Sequence, residues 1–106
     1  MTSDAPGPLA PYQEVARLFS ALANPARCAV VDRLAREPRF VGELSRELDL
    51  SQPLVSQHLK VLREAHLIEG FKDGRVTRYR LLDEHVAHVF RDALQHMKEH
   101  SDDCHH

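Results

Sequence analysis

Apolar positions recur along this chain in two different periods, and the switch between them marks the elements. From Pro11 to about Leu22, residues Val15, Leu18, Phe19 and Leu22 return at helical spacing and predict a first helix. "NPAR" follows. Asn24 is placed to cap a second helix, and Pro25 fills its first position, where a missing N–H costs nothing. Val30, Val31 and Leu34 form the apolar face of that helix, which ends at about Arg36 ahead of Pro38. "FVGELSRELDL" predicts a short third helix with Val41, Leu44 and Leu48 on one face. A tight turn at Asp49-Leu50-Ser51 leads into a fourth. Ser51 caps it, Pro53 lies in its first turn, and Val55, Leu59 and Leu62 face inward at i, i+4 and i+7. Then "LIEGFKDGRVTRYRLL" alternates apolar with polar on both sides of Asp73-Gly74. That pattern predicts strands over about 67–72 and 75–81 joined by a two-residue Asp-Gly turn. Asp83 starts a fifth helix that ends near His100.

The order helix, helix, helix, helix, hairpin, helix is a mainly α fold with a small β-hairpin. Helices three and four, with the hairpin directly after them, form a winged helix-turn-helix pattern. The chain of 106 residues fits one domain over about 11–100. Residues 1–10, opening "MTSDAPGP", form a flexible tail before it, and 101–106 a C-terminal tail rich in His and Cys. A core this small gains from a partner subunit. Ordinary hydrophobic content and a net charge of −2 exclude a disordered chain and an indiscriminate polycation. No apolar run reaches membrane-spanning length and no signal peptide opens the chain, so a cytoplasmic protein without a membrane partner is expected. Cys28 and Cys104 lie far apart and form no CxxC pair. No nucleophile–base motif, phosphate loop or cofactor fingerprint points to an enzyme.

Charge is uneven where the totals are balanced. Ser51 to Arg80 holds six basic residues against three acids, whereas Asp83 to His106 holds six acids against two bases. The first stretch suits an anion and the second a cation. In a helix-turn-helix the second helix enters the major groove of double-stranded DNA and its first turns meet base edges. Those residues here are Ser51, Gln52, Ser56 and Gln57. Gln pairs bidentately with adenine, and Ser bonds bases or phosphates. Lys60 and Arg63 further along, with Lys72, Arg75, Arg78 and Arg80 on the wing, suit the phosphate backbone. Charge on a helix or hairpin is by itself ordinary solvated surface; the wing following helix four directly is what points to DNA.

"ALANPARCAVVDRLAREPRF", "SQPLVSQHLKVLREAHLI" and the wing "DGRVTRYRL" together resemble the ArsR/SmtB family of winged helix-turn-helix repressors over about residues 12–100. The resemblance implies a homodimer formed through the first and last helices. It also implies an apo form bound to a palindromic operator, weakening of that binding by a metal, and derepression of metal efflux or resistance genes. The family's zinc pattern on its last helix, "DxH…HxxE", falls on Asp83, His85, His96 and Glu99. Its cysteine motif on helix three, "ELCVC", is replaced by "ELSREL", with Ser45 and Glu47 at the cysteine positions. Thiolate sensing of soft metals there is therefore not expected.

The fifth helix supports a metal site on geometry as well. Four of eight histidines lie between Asp83 and His100, although histidine is not a favoured helix former. His85 and His96 point within about 20° of each other but stand roughly 16 Å apart along the axis. One straight helix cannot bring them to one ion; two antiparallel copies can. Asp83 and His85 of one chain would then meet His96 and Glu99 of the other, in two symmetric four-ligand sites. Val86, Phe90, Ala93 and Met97 provide an apolar stripe for the packing. Nitrogen and carboxylate donors in a tetrahedral set suit Zn²⁺, with Co²⁺ or Ni²⁺ as substitutes. His100, Cys104, His105 and His106 are possible extra ligands, and Asp83 also serves as the helix cap. His96 could donate its second ring N–H to backbone near His66, linking metal to reading head. His88 points elsewhere, and Cys28 reads as a small core hydrophobe. The alternative function is a thiol redox or persulfide sensor of the same fold using Cys28 and Cys104.

Overall fold

A computed structural model describes residues 7–103, with side chains placed through Ser101. The elements are α1 (Ala10–Leu22), α2 (Pro25–Arg36), β1 (Arg39–Phe40), α3 (Val41–Leu48), α4 (Gln52–Glu64), β2 (Ile68–Asp73), β3 (Val76–Leu81) and α5 (Glu84–Asp103). The predicted caps form. Asn24 Oδ1 accepts from the Arg27 N–H at 3.1 Å, Ser51 Oγ from Leu54 at 3.3 Å, and Asp83 Oδ1 from Val86 at 3.2 Å. Each satisfies a donor that the helix start leaves orphaned.

The core runs through Val30, Val31 and Leu34 of α2, Leu44 of α3, Val55, Leu59 and Leu62 of α4, then Leu67, Ile68, Val86 and Phe90. α2 is its centre and touches all four other helices and β3. Leu18 and Leu22 close it from α1.

Four details differ from the sequence expectation. The wing has a third strand: β1 pairs antiparallel with β3, Arg39 opposite Tyr79 and Phe40 opposite Arg78, giving the order β1-β3-β2. Two residues are too short for a period-2 signal, and Phe40 is extended rather than helical. Its N–H donates to Glu43 Oε1 at 3.0 Å, the back-reaching half of a helix cap. Secondly, the hairpin turn is Gly74-Arg75, one residue later than expected, because Asp73 pairs with Val76. Gly74 has φ +66° and Arg75 stays at negative φ. That is the pattern of a turn with glycine first, and it leaves the Asp73 carboxylate free to accept from Arg78 Nε. Thirdly, α5 continues past His100 to Asp103. Lastly, Val86 and Phe90 belong to the protomer's own core, so the stripe drawn for a partner divides between core and surface. A hydrophobic period marks a face as buried without saying by which chain.

Candidate nucleic-acid interface and metal-binding helix

The helix-turn-helix is held by backbone geometry. Asp49 ends α3 in the left-handed conformation, φ 55°. Leu50 N–H returns to Ser45 O at 3.1 Å, and Ser45 Oγ donates to Leu50 O. These bonds set the angle at which α4 leaves. Val55, His58, Leu59 and Leu62 face inward. Gln52, Ser56, Lys60 and Arg63, at i, i+4, i+8 and i+11, form an exposed stripe, with Ser51 and Gln57 beside it. All six predicted reading-helix residues are therefore solvent-facing on one element.

The wing's cations divide into two sets. Arg78 is half-buried. It bridges Asp73 and Glu43, with its Nη1 3.0 Å from Glu43 Oε1, and its guanidinium lies 5.2 Å from the centre of the Phe40 ring. The hydrogen bond that it donates to the Asp73 carboxylate, reinforced by Glu43, raises its pKa further above an already high value. Arg80 pairs with Glu69 at 3.2 Å and stacks over Phe71 at 4.4 Å. Lys60, Arg63, Lys72 and Arg75 are exposed and make no ion pair among the described residues. The charge available to an anion is thus concentrated on the outer helix face and the wing tip.

The metal expectation falls on α5. His85 is almost wholly solvent-open, 93 % exposed, and its Nδ1 lies 3.5 Å from Asp83 Oδ1. Roughly 16 Å further along, the His96 and His100 rings stand 4.4 Å apart. Glu99 is also exposed and accepts from Gln95 Nε2 at 2.9 Å. Within one protomer no three His, Cys, Asp or Glu side chains converge among the described residues. His66 shares with Asp83 and His85 the wall of a cavity of about 180 Å³, closed by Leu18, Leu22, Leu67, Val86 and Val89. Cys104, His105 and His106 lie outside the described residues.

A family model for the bacterial regulatory proteins of the arsR family matches residues 24–69. The chain is 44 % identical over 98 residues to the HTH-type transcriptional repressor SmtB of Mycobacterium tuberculosis, covering 92 % of this chain and 73 % of that protein. It is 37 % identical to the HTH-type transcriptional regulator NmtR of the same species over 78 % of this chain and 69 % of that protein. The homodimeric winged helix-turn-helix DNA-binding domain of a possible ArsR-family regulator from Mycobacterium bovis is similar in structure. There the TM-score is 0.87 at 29 % identity, over 100 % of this chain and 98 % of that one. The chain belongs to the arsR family.

Inside this arsR-family head lies a site that periodicity did not reveal. His58 on α4 is 8 % exposed. Arg27 Nη1 lies 3.5 Å from its Nδ1, while Arg27 Nε donates to Ala21 O at the end of α1. Guanidinium is donor-only, so Nδ1 accepts and the ring is neutral with its proton on Nε2. Burial first, and Arg27 second, hold the His58 pKa below its usual value of 6.5. The one available signal was a histidine three residues after Val55 and one before Leu59, inside the apolar stripe. Glu43 was missed too, as the anchor of both Phe40 and Arg78. Cys28 packs on the core as expected, its Sγ donating to Leu22 O at 3.0 Å. No helix of the described residues is long and apolar enough to cross a membrane.

Proposed function

We propose that this arsR-family chain is a metal-responsive transcriptional repressor. Its apo homodimer holds operator DNA, and Zn²⁺, or Co²⁺ or Ni²⁺ in its place, loosens that grip. The observation that carries the reading is the donor distribution on α5. An open Asp83–His85 pair stands at one end and His96 at the other, too far apart for one ion within one protomer. Between them an apolar face formed by Val89, Ala93 and Met97 is exposed. A second copy packed antiparallel covers that face and completes the donors in one step. The set then comprises Asp83 and His85 of one protomer, His96 of the other, and a fourth donor from the end of α5, where the family pattern points to Glu99. The donors fit a borderline ion: imidazole nitrogens and carboxylate oxygens without thiolate. Bound there, the ion supplies a crosslink between the α5 helices.

The chain's own residues carry that constraint to DNA. Ser51, Gln52, Ser56 and Gln57 read base edges, while Lys60, Arg63, Lys72 and Arg75 bind phosphates; Arg78, tied to Glu43, mainly shapes the wing. His66 adjoins Asp83 and His85 in one cavity, at the end of the reading helix. A shift of the α5 ends is therefore felt where α4 stops. The two reading helices must meet half-sites roughly 34 Å apart, so a small rotation spoils the match. Converting a mostly bound population to a mostly free one takes about 5.5 kcal/mol of differential affinity, shared between two sites. The relatives' printed names, SmtB repressor and NmtR regulator, agree with a repressor.

The test is a Co²⁺ titration of the reduced apo-protein, followed by fluorescence anisotropy on operator DNA. Intense d–d bands saturating at about one ion per protomer, with concurrent DNA release, are expected for a tetrahedral nitrogen/oxygen site. His96→Ala should abolish both. Metal affinity and release left intact in that variant would overturn the proposal.

A further inference from the structure

The first turn of α4 carries an apolar surface at the end that leads into the groove. Pro53 and Leu54 stand side by side there and both face solvent, Leu54 at 37 % exposed. The outer face around them is polar, with Gln52, Ser56, Gln57 and Lys60 all exposed. Leucine gains nothing from water at a helix start, and the carboxylate that the helix dipole favours in a first turn is missing. A surface without acid suits an approach between phosphates. The cap fixes the residue in place: the Leu54 N–H donates to Ser51 Oγ at 3.3 Å. Leu54 and Gln57 are neighbours at i and i+3, about 60° apart around the axis and about 4.5 Å along it.

We propose that Leu54 is a specificity-determining residue that reads the C5-methyl group of a thymine in each operator half-site. This rests on the DNA-reading role of α4 and is independent of any metal. Among the base edges of the major groove only thymine offers an apolar group. Leu54 covering that methyl removes two apolar surfaces from water at once. A cytosine in the same place sets its N4 amino donor against the leucine and leaves it without an acceptor. Gln57 alongside suits adenine. With base steps of about 3.4 Å, the pair that Gln57 reads lies within about two steps of the thymine. The contact discriminates without charge, so it leaves the salt dependence of binding unchanged, unlike the contacts of Lys72 and Arg75.

The experiment uses the full chain, free of metal. Binding sites are enriched from a pool of random-sequence DNA duplexes with the parent, Leu54→Ala, Leu54→Met and Val61→Ala. The parental site is then remade with deoxyuridine in place of thymidine, one position at a time, which removes only the methyl. One thymine in each half-site should prove methyl-dependent. Its exchange should weaken parental binding about fourfold in one half-site and about fifteenfold in both. Leu54→Ala should bind that site more weakly with the parental salt slope and urea midpoint, and lose both the thymine preference and the response to deoxyuridine. Leu54→Met keeps an apolar contact and should retain both. So should Val61→Ala, which shortens an equally exposed side chain about 10 Å further along α4. A parental site with no methyl-dependent thymine, or a methyl effect that persists in Leu54→Ala, overturns the assignment. A parent that enriches no sequence at all overturns base reading by α4, Leu54 included.

Discussion

His58 places one buried titratable side chain on α4. It is neutral in the fold, wedged between α4 and the Arg27 guanidinium, with its pKa depressed below 6.5. The unfolded chain therefore binds more protons than the folded one as pH falls through 6.5. The contribution of His58 to stability is complete above that pH and declines below it, toward the depressed folded value. Urea midpoints measured from about pH 7.5 down to about pH 5.5 should fall, and His58→Gln, which keeps an acceptor for Arg27, should flatten that fall. An unchanged slope in the variant would mean that other groups carry the acid sensitivity. Asp49 is the complementary case, where backbone decides. Its φ of 55° suits Asp and Gly and penalises a β-branched side chain. Asp49→Val should cost roughly 1–2 kcal/mol of stability, and Asp49→Gly little or nothing. Equal urea midpoints for the two variants would show that the turn can relax.

At the level of elements, the wing separates cations that build it from cations that can serve DNA. Arg78 joins β3, the turn and α3 through Asp73, Glu43 and Phe40. Lys72 and Arg75 project from the hairpin with no ion pair among the described residues. Arg78→Ala should lower the urea midpoint. Lys72→Ala and Arg75→Ala should leave stability within about 0.5 kcal/mol, yet each should reduce the salt dependence of operator binding by about one unit of slope. If all three variants behave alike in both assays, the division is wrong. The same wing shows what was legible in the chain. Alternation over "VTRYRL" located β3, because Thr77, Tyr79 and Leu81 share one face and the last two pack on the core, whereas β2 reaches the core only through Ile68 and was located by the turn signal beside it. The turn came out one residue early, since Asp-Gly and Gly-Arg both permit a tight hairpin and only the register decides between them. β1 left no signal, being two residues held by β3 from elsewhere in the chain. The relative placement of Asp83, His85, His96 and Glu99 along α5 was legible by spacing, because a helix converts sequence separation into angle and rise. Whether a neighbouring donor joins them depends on side-chain direction, which spacing does not carry.

For the whole molecule, the exposed apolar side chains form a pattern of their own. On α1, Tyr12, Val15 and Phe19 follow one face, and on α5 Val89, Ala93 and Met97 follow another; Phe19 is 55 % and Met97 61 % exposed. α1 and α5 flank the same cavity, which Leu18, Leu22, Val86 and Val89 line. Two neighbouring apolar stripes of this kind on a small domain mark an interface, and a two-fold axis lets one patch cover its own copy. Phe19→Asp or Met97→Asp would bury a carboxylate without a partner at such an interface. Each variant should sediment as a monomer at concentrations where the parent is a dimer, keep its helical circular dichroism, and lose operator affinity by on the order of 100-fold, because the second half-site no longer adds avidity. Val76→Asp is the control: its side chain is 39 % exposed, but it lies at the base of the wing turn, away from α1 and α5. It should leave the dimer intact. Two dimeric α1 and α5 variants would place the subunit contact elsewhere and remove the antiparallel α5 pairing on which the proposed metal site depends. Monomeric variants that still bind Co²⁺ with parental affinity would keep the dimer but move the ion to a site within one protomer.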